Sequence, residues 1–251
     1  MDRRASTRAV VEWEPIRRQG ERMERQVFPG AVTSERERAA AGRVVLICAT
    51  WALIHSLLAS KPAKDLVTRT AGQRSRDGLY RLAYNAQSVL TVAWAARRFV
   101  RLPDRELYRA RPPWSWLFRA GQVLSLGVLF SGVRVVGVLE FAGIVPLWRL
   151  LTGCESRPEP EAQGPPIGAD GEMKRAGAFR STRHPGNLGA MGLFLLWPRM
   201  TVNRATLAAL VALYVVVGSM HEERRLGLAY GEAFERYRRS VSFLVPRPPK
   251  N

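Results

Sequence analysis

The chain has 251 residues, with 39 Lys and Arg against 21 acids, a net charge of +18, 47% apolar residues and a mean hydropathy of -0.13. Averages of that kind describe a soluble basic protein, yet here they mix long apolar runs with Arg-rich connections, and the runs decide the class. The charge flanks those runs, which favours anionic lipid headgroups over nucleic acid as its partner. Two isolated cysteines, Cys48 and Cys154, exclude a disulfide framework and a Cys-based zinc site.

Residues 1–41 hold nine Arg and seven acids with almost no apolar periodicity, the composition of a mobile tail. The stretch has no apolar core of a secretory signal, and its acids argue against a transit peptide. A first span follows from about Arg43 to Ser60, closed by Lys61 and Pro62. After a basic loop with Lys64, Arg69, Arg74 and Arg76, a second span covers roughly Leu79 to Ala96. Its polar Tyr84, Asn85, Gln87 and Ser88 are expected to face other helices rather than lipid.

Residues 114–151 are apolar but broken by Arg119, Gly132, Arg134 and Gly143. They read either as one long tilted span with an interfacial piece or as a tight pair of spans. A loop rich in Pro, Gly and Glu, about residues 153–172, leads to "GNLGAMGLFLLWP" and "RATLAALVALYVVVGSM". These two short spans form a helical hairpin turning over Pro198–Arg204. Beyond it, Leu226, Tyr230, Phe234, Tyr237 and Val241 recur every three or four residues as one helical stripe, edged by Arg225, Arg236 and Arg239. The fold expected is an all-α polytopic membrane bundle of five spans, six if 114–151 counts twice, ending in an amphipathic interfacial helix. Trp51, Trp94, Trp114, Trp116, Trp148 and Trp197 lie near span ends and read as an aromatic belt.

The hairpin brings chemistry together. Its outgoing arm starts at Arg183-His184-Pro185 and its returning arm ends at His221-Glu222-Glu223, so both polar groups emerge on one side of the membrane. Pro185 suits a first helical turn, and the exposed amides after it, at Gly186 to Leu188, form an anion site. Gly186, Gly189 and Gly192 allow a ligand or a neighbouring helix to approach the backbone. Glu222 and Glu223 accept hydrogen bonds from an ammonium group or from ribose hydroxyls. A zwitterionic, nucleoside-bearing cofactor would use all of these groups. Each also has a plainer use: His184 as a helix cap or headgroup ligand, and the two glutamates as partners of Arg224, Arg225 or the tail arginines. Acids at the end of an apolar span carry an insertion cost, which favours a functional role. His221 reads as interfacial. His55, inside the first span, is either a functional group or one end of a hydrogen bond to Ser56 or Tyr84.

The pattern "GAFRSTRHPGNLG", a hairpin, then "HEERRLGLAYGEAFERYRRSVSFLVP" resembles the C-terminal half of the isoprenylcysteine carboxyl methyltransferase and phospholipid methyltransferase superfamily. There, Arg-His-Pro and a Glu-Glu pair frame the S-adenosylmethionine site. Within that superfamily, "WPRMTVNRATLAALVALYVVVGSMHEERRL" is similar to the methanethiol S-methyltransferase group. "WALIHSLLASKPAK" and "YRLAYN" resemble both that group and the NnrU-like membrane proteins, which include zeta-carotene isomerases. The likeness covers about residues 43–247 and is strongest over 177–246. It implies a membrane methyltransferase domain over 42–251, with the cofactor half at about 173–247. By that resemblance the S-adenosylmethionine-binding residues are Arg183, His184, Pro185, Gly186, Leu188, Gly189, Glu222, Glu223, Arg236 and Tyr237. The acceptor implied is a small thiol or a lipid-like molecule, and no resident metal is implied. One departure stands out: the methyltransferases commonly carry Tyr two residues after the Pro, where this chain has Asn187.

Two other readings follow from the same residues. An NnrU-like isomerase or assembly factor would bind haem through His55 and His184 as axial ligands. A non-catalytic subunit of a membrane complex would keep only the scaffold. Basic residues in 61–78, 173–183 and 224–239 place the cofactor face in the cytoplasm, while the basic loop at 97–111 runs against that orientation.

Overall fold

The computed structural model describes residues 29–155, 158 and 164–246. The chain forms α1 (Pro29–Ala59), α2 (Lys61–Ala71), α3 (Gln73–Phe99), β1 (Glu106–Arg109), α4 (Trp114–Val136), α5 (Val138–Ala142), α6 (Ile144–Thr152), α7 (Pro185–Leu195), β2 (Arg199–Thr201) and α8 (Val202–Ser240), with a 3-10 turn at Gly177–Arg180. Residues 29–41, assigned to the tail by composition, thus belong to α1, and residues 1–28 lie outside the described residues. Ser60 ends α1 by capping α2, its hydroxyl accepting from the Ala63 amide at 3.4 Å, with Pro62 in the first turn.

Three helices are long and apolar enough to cross a membrane: Ser34–Ala59, Trp114–Val136 and Val202–Ser240, with mean hydropathies of 1.7, 1.3 and 1.6. Their outward faces are apolar, with Leu46, Leu53, Leu57, Val123, Leu124, Leu213 and Val217 all exposed. A bundle that turns its apolar side chains outward is built for lipid, and the chain is a membrane protein. The region 114–151 is one long helix, α4, followed by the two short helices α5 and α6, because the backbone breaks at Gly137 and Gly143. The fold is not purely helical, since β1 and β2 pair antiparallel with Glu106 opposite Thr201 and Arg109 opposite Arg199.

That strand pair sets the two ends of the bundle. Near it, Arg105 bonds Glu37 of α1, and β2 runs directly into α8. At the opposite end Arg225 of α8 donates to the Ala59 carbonyl that finishes α1. Helix α7 starts at this second end and lies against α4 and α8. With 11 residues it is about 16 Å long, shorter than the ~30 Å apolar layer of a membrane, and residues 196–198 link it to β2. The close fit to α4 depends on glycine: a Cβ at Gly189 would lie 2.5 Å from the Ser125 carbonyl oxygen.

The amphipathic tail helix is not a separate interfacial element. It is the last arm of α8, turned at Gly231, whose φ of +50° only glycine adopts readily. Its stripe faces protein: Leu226, Phe234 and Tyr237 are each 1% exposed and pack with Met173, Phe179 and Val241. Burying each large side chain out of water contributes about 1.5–3 kcal/mol to this core. The core forms a cap over the end of the bundle where α7 begins.

Candidate active site

His184 is the residue from which α7 starts, followed by Pro185 at the first helical position. Its side chain does not cap its own helix. Instead it crosses to α8, where Nδ1 donates to Glu222 Oε2 at 3.1 Å and Nε2 donates to Glu223 Oε1 at 3.3 Å. An imidazole that donates from both nitrogens is the protonated form. Burial opposes that charge, but the hydrogen bonds and negative charges of Glu222 and Glu223 outweigh it and raise the His184 pKa above its ordinary value.

Arg183 completes the cluster from the other side. Its Nε donates to Glu223 Oε1, and its Nη1 donates to the carbonyls of Arg238 and Val241. The planar guanidinium thus ties the glutamate to the end of α8 in a way no ammonium group can match. The segment after α8 returns beside the site, with the Arg183 amide bonded to the Ser242 carbonyl at 2.9 Å. Phe243 stands edge-on to the His184 ring, with centroids 5.4 Å apart. Tyr237 is buried in the cap and donates to the Phe179 carbonyl at 3.0 Å. Thr182, whose hydroxyl accepts from the His184 amide and donates to the Phe243 carbonyl, both at 3.3 Å, is a site residue together with Ser242 and Phe243; the hairpin pattern does not reveal them, because they carry neither charge nor helical spacing.

The residues expected from the sequence fall into two groups. Arg183, His184, Glu222 and Glu223 meet in one cluster, with Tyr237 in the cap around it. Gly186 stands at the helix start with open space where a Cβ would be, and the Leu188 amide is already engaged by the His184 carbonyl. Pro185 packs against Gly132 of α4 and Gly189 against Ser125, so both shape the scaffold rather than line the opening. Arg236 is not in the cluster. It bonds Glu172 and Glu232 and borders a separate cavity of about 740 Å³ with residues 168–175. Asn187, in the place where Tyr is common, donates to the Ser219 hydroxyl at 2.8 Å and so pins α7 to α8.

Beside Glu223 a cavity of about 310 Å³ opens between the two arms of the kinked α8, lined by Met220, Glu223, Arg224, Gly227, Phe234, Glu235 and Arg238. It is at the small end of the range for ligand pockets, and it sets the carboxylates of Glu223 and Glu235 and the guanidinium groups of Arg224 and Arg238 beside Met220 and Phe234. A nucleoside carrying an amino acid would need groups of these kinds: a carboxylate for its ammonium, a cation for its carboxylate and apolar surface for its base. Glu222 keeps about a fifth of its side chain exposed, and the Gly186 and Asn187 amides belong to the first turn, which no helical carbonyl can satisfy.

A methanethiol S-methyltransferase of Bradyrhizobium diazoefficiens is 26% identical over 227 residues, which cover 88% of this chain and 73% of that protein. The methanethiol S-methyltransferase of Pseudomonas deceptionensis is 29% identical over 36% of this chain and 35% of its own length. That of Mycobacterium tuberculosis is 37% identical over 29% of this chain and 30% of its own. The chain is a relative of the methanethiol S-methyltransferases. No family model and no solved structure matches it. The relationship agrees with the resemblance of residues 177–246 to the isoprenylcysteine carboxyl methyltransferase superfamily.

Haem ligation finds no support in the same relatives or in the geometry. His55 uses both ring nitrogens, Nε2 with the Tyr84 hydroxyl at 2.6 Å and Nδ1 with the Ser88 hydroxyl at 3.2 Å. Trp51 stacks on the ring at 4.7 Å, and Ser56 bonds Tyr214 instead of His55. His184 likewise has both nitrogens engaged by Glu222 and Glu223. Neither ring presents a free nitrogen to an iron centre.

Proposed function

We propose that the protein is an integral-membrane, S-adenosylmethionine-dependent methyltransferase whose acceptor is a small thiol. The observation that carries this reading is the His184–Glu222–Glu223 cluster at the start of α7, in a chain related to enzymes named for methyl transfer to methanethiol. In this reading Glu222 and Glu223 accept hydrogen bonds from the cofactor's ammonium group or ribose. The first-turn amides of Gly186 and Asn187 receive its carboxylate. When bound, S-adenosylmethionine supplies an electrophilic methyl group, whose transfer to a thiolate sulfur releases a neutral thioether.

The chain's own residues position and insulate. Arg183 and Tyr237 tie the segment that precedes α7 to the last arm of α8, so that Glu223 keeps one orientation while the opening stays narrow. His184, whose charged form the two carboxylates favour, lies between Glu222 and Glu223 and fixes their direction. A thiol must lose its proton before it attacks, and that proton passes to solvent at the polar end of the bundle. An apolar acceptor of small size enters between the helices from the bilayer, which the outward-facing apolar surface permits.

Five crossings account for the arrangement: α1, α3, α4, α7 with its extended continuation, and α8. The His184 end faces the cytoplasm, where the cofactor is made, in keeping with the basic residues of 61–78 and 224–239. The deciding experiment is direct. Purified protein is supplied with S-adenosylmethionine and methanethiol, and the headspace is assayed for dimethyl sulfide. Production that depends on both protein and cofactor supports the proposal; a headspace without the product, from protein that is folded and binds the cofactor, removes the thiol as acceptor.

A further inference from the structure

At the end of the bundle opposite His184, α1 and α3 border an open cavity of about 460 Å³ lined by Arg43, Leu46, Ile47, Trp94, Arg98 and Arg101, among others. We infer that this cavity is a binding site for an anionic phospholipid, with the phosphodiester held by Arg43, Arg98 and Arg101 and an acyl chain lying along Leu46 and Ile47. The three guanidinium groups converge from two helices and the turn after α3, while the apolar side chains lie one turn deeper along α1. That vertical order, cations above and aliphatic groups below, is the order of a phospholipid at the edge of a bilayer.

Charge balance at this end points the same way. Nearby acids are engaged elsewhere: Glu37 with Arg105, Glu106 with both Arg109 and Arg199, and Asp104 with the amides of Arg105 and Asn203. Arg43, Arg98 and Arg101 have no acidic partner among the described residues, and Arg98 instead lies over the Trp94 ring at 5.9 Å. An arginine on an indole at the interface presents its donors outward to a phosphate. Such a role also gives a reason for a basic loop at 97–111 on the face where the positive-inside bias does not call for one.

Native mass spectrometry of the full chain, released from detergent after exposure to phosphatidylglycerol or phosphatidylcholine, tests the inference. The wild type is expected to retain phosphatidylglycerol preferentially. The double variant Arg98→Gln/Arg101→Gln should lose roughly tenfold or more of that retention, since each cation near an anionic headgroup counts. Leu46→Trp, which fills the cavity and leaves the charge unchanged, should reduce it as well and decides the matter if the double variant does not fold. Equal retention of the two lipids by wild type, or unchanged retention in the folded variants, overturns the site. So does inorganic phosphate that displaces the bound phosphatidylglycerol, because it would make the cavity a general anion site rather than a lipid site. None of these readings depends on methyl transfer.

Discussion

His184 and Glu222, 38 residues apart in the chain, meet through a 3.1 Å contact between Nδ1 and Oε2 that joins the start of α7 to the middle of α8. The contact leaves part of Glu222 open to a ligand while fixing the direction of its carboxylate. If that carboxylate holds S-adenosylmethionine, Glu222→Gln keeps the shape and removes the charge. A hydrogen bond to a charged group is worth about 1.5–3 kcal/mol, so cofactor affinity should fall roughly tenfold or more in a variant that still folds. Calorimetric titration in detergent measures it; unchanged affinity removes Glu222 from the site.

The raised pKa of His184 makes a signed prediction for stability. A folded-state pKa above the unfolded value means that the protonated imidazole stabilises the fold fully below the unfolded pKa of about 6.5. That contribution is lost as pH rises through the folded value. The melting temperature of wild type should therefore fall relative to that of His184→Gln between weakly acidic and alkaline pH. Parallel pH profiles of the two proteins would show that the histidine does not titrate within this cluster.

Three glycines spaced three residues apart on α7 should respond differently to alanine. At Gly189 the new Cβ would meet the Ser125 carbonyl oxygen at 2.5 Å and Leu129 at 2.8 Å, groups that move only if the helices separate. Overpacking of that kind costs typically 1–3 kcal/mol, and Gly189→Ala should be the least stable of the set. At Gly192 the obstacle is the Ser125 hydroxyl, which can rotate away, so the cost should be smaller. At Gly186 nothing lies within 4 Å, and alanine should leave stability intact while weakening the cofactor through the lost space. Thermal melts with and without S-adenosylmethionine separate the three outcomes, and a stability loss at Gly186 as large as at Gly189 contradicts the assignment.

The hairpin and the meeting of Arg183 and His184 with Glu222 and Glu223 are legible in the sequence, because apolar runs fix which ends lie together. The cap is not. Leu226, Phe234 and Tyr237 show the spacing of an amphipathic helix, and spacing alone does not distinguish a membrane surface from a protein core. The decision lies in Gly231, whose positive φ folds the last arm back, and in Met173 and Phe179, which sit in a loop without periodicity. Arg236 shares the stripe's edge with no view of the site for the same reason: one residue along a helix turns a side chain by about 100°, and Tyr237 rather than Arg236 points inward. Pairing of β1 with β2 joins residues nearly a hundred positions apart, which no local pattern records.

Arg183 offers the test that separates architecture from ligand binding. Its guanidinium serves three acceptors, Glu223 and the carbonyls of Arg238 and Val241, and these bonds hold the chain that follows α8 beside the site. Arg183→Lys keeps the positive charge but replaces the fork with one compact ammonium, which cannot reach all three. The expected result is loosening of residues 238–244, seen as faster amide hydrogen exchange at Val241 and at Arg183, whose N–H groups bond the Tyr237 and Ser242 carbonyls. Cofactor affinity should drop only as a consequence, since Glu223 loses its orientation. Glu222→Gln should show the opposite pattern, with affinity lost and exchange in 238–244 unchanged. If Arg183→Lys lowers affinity while leaving exchange in that segment at the wild-type rate, Arg183 contacts the cofactor directly and is not a clamp on the cap.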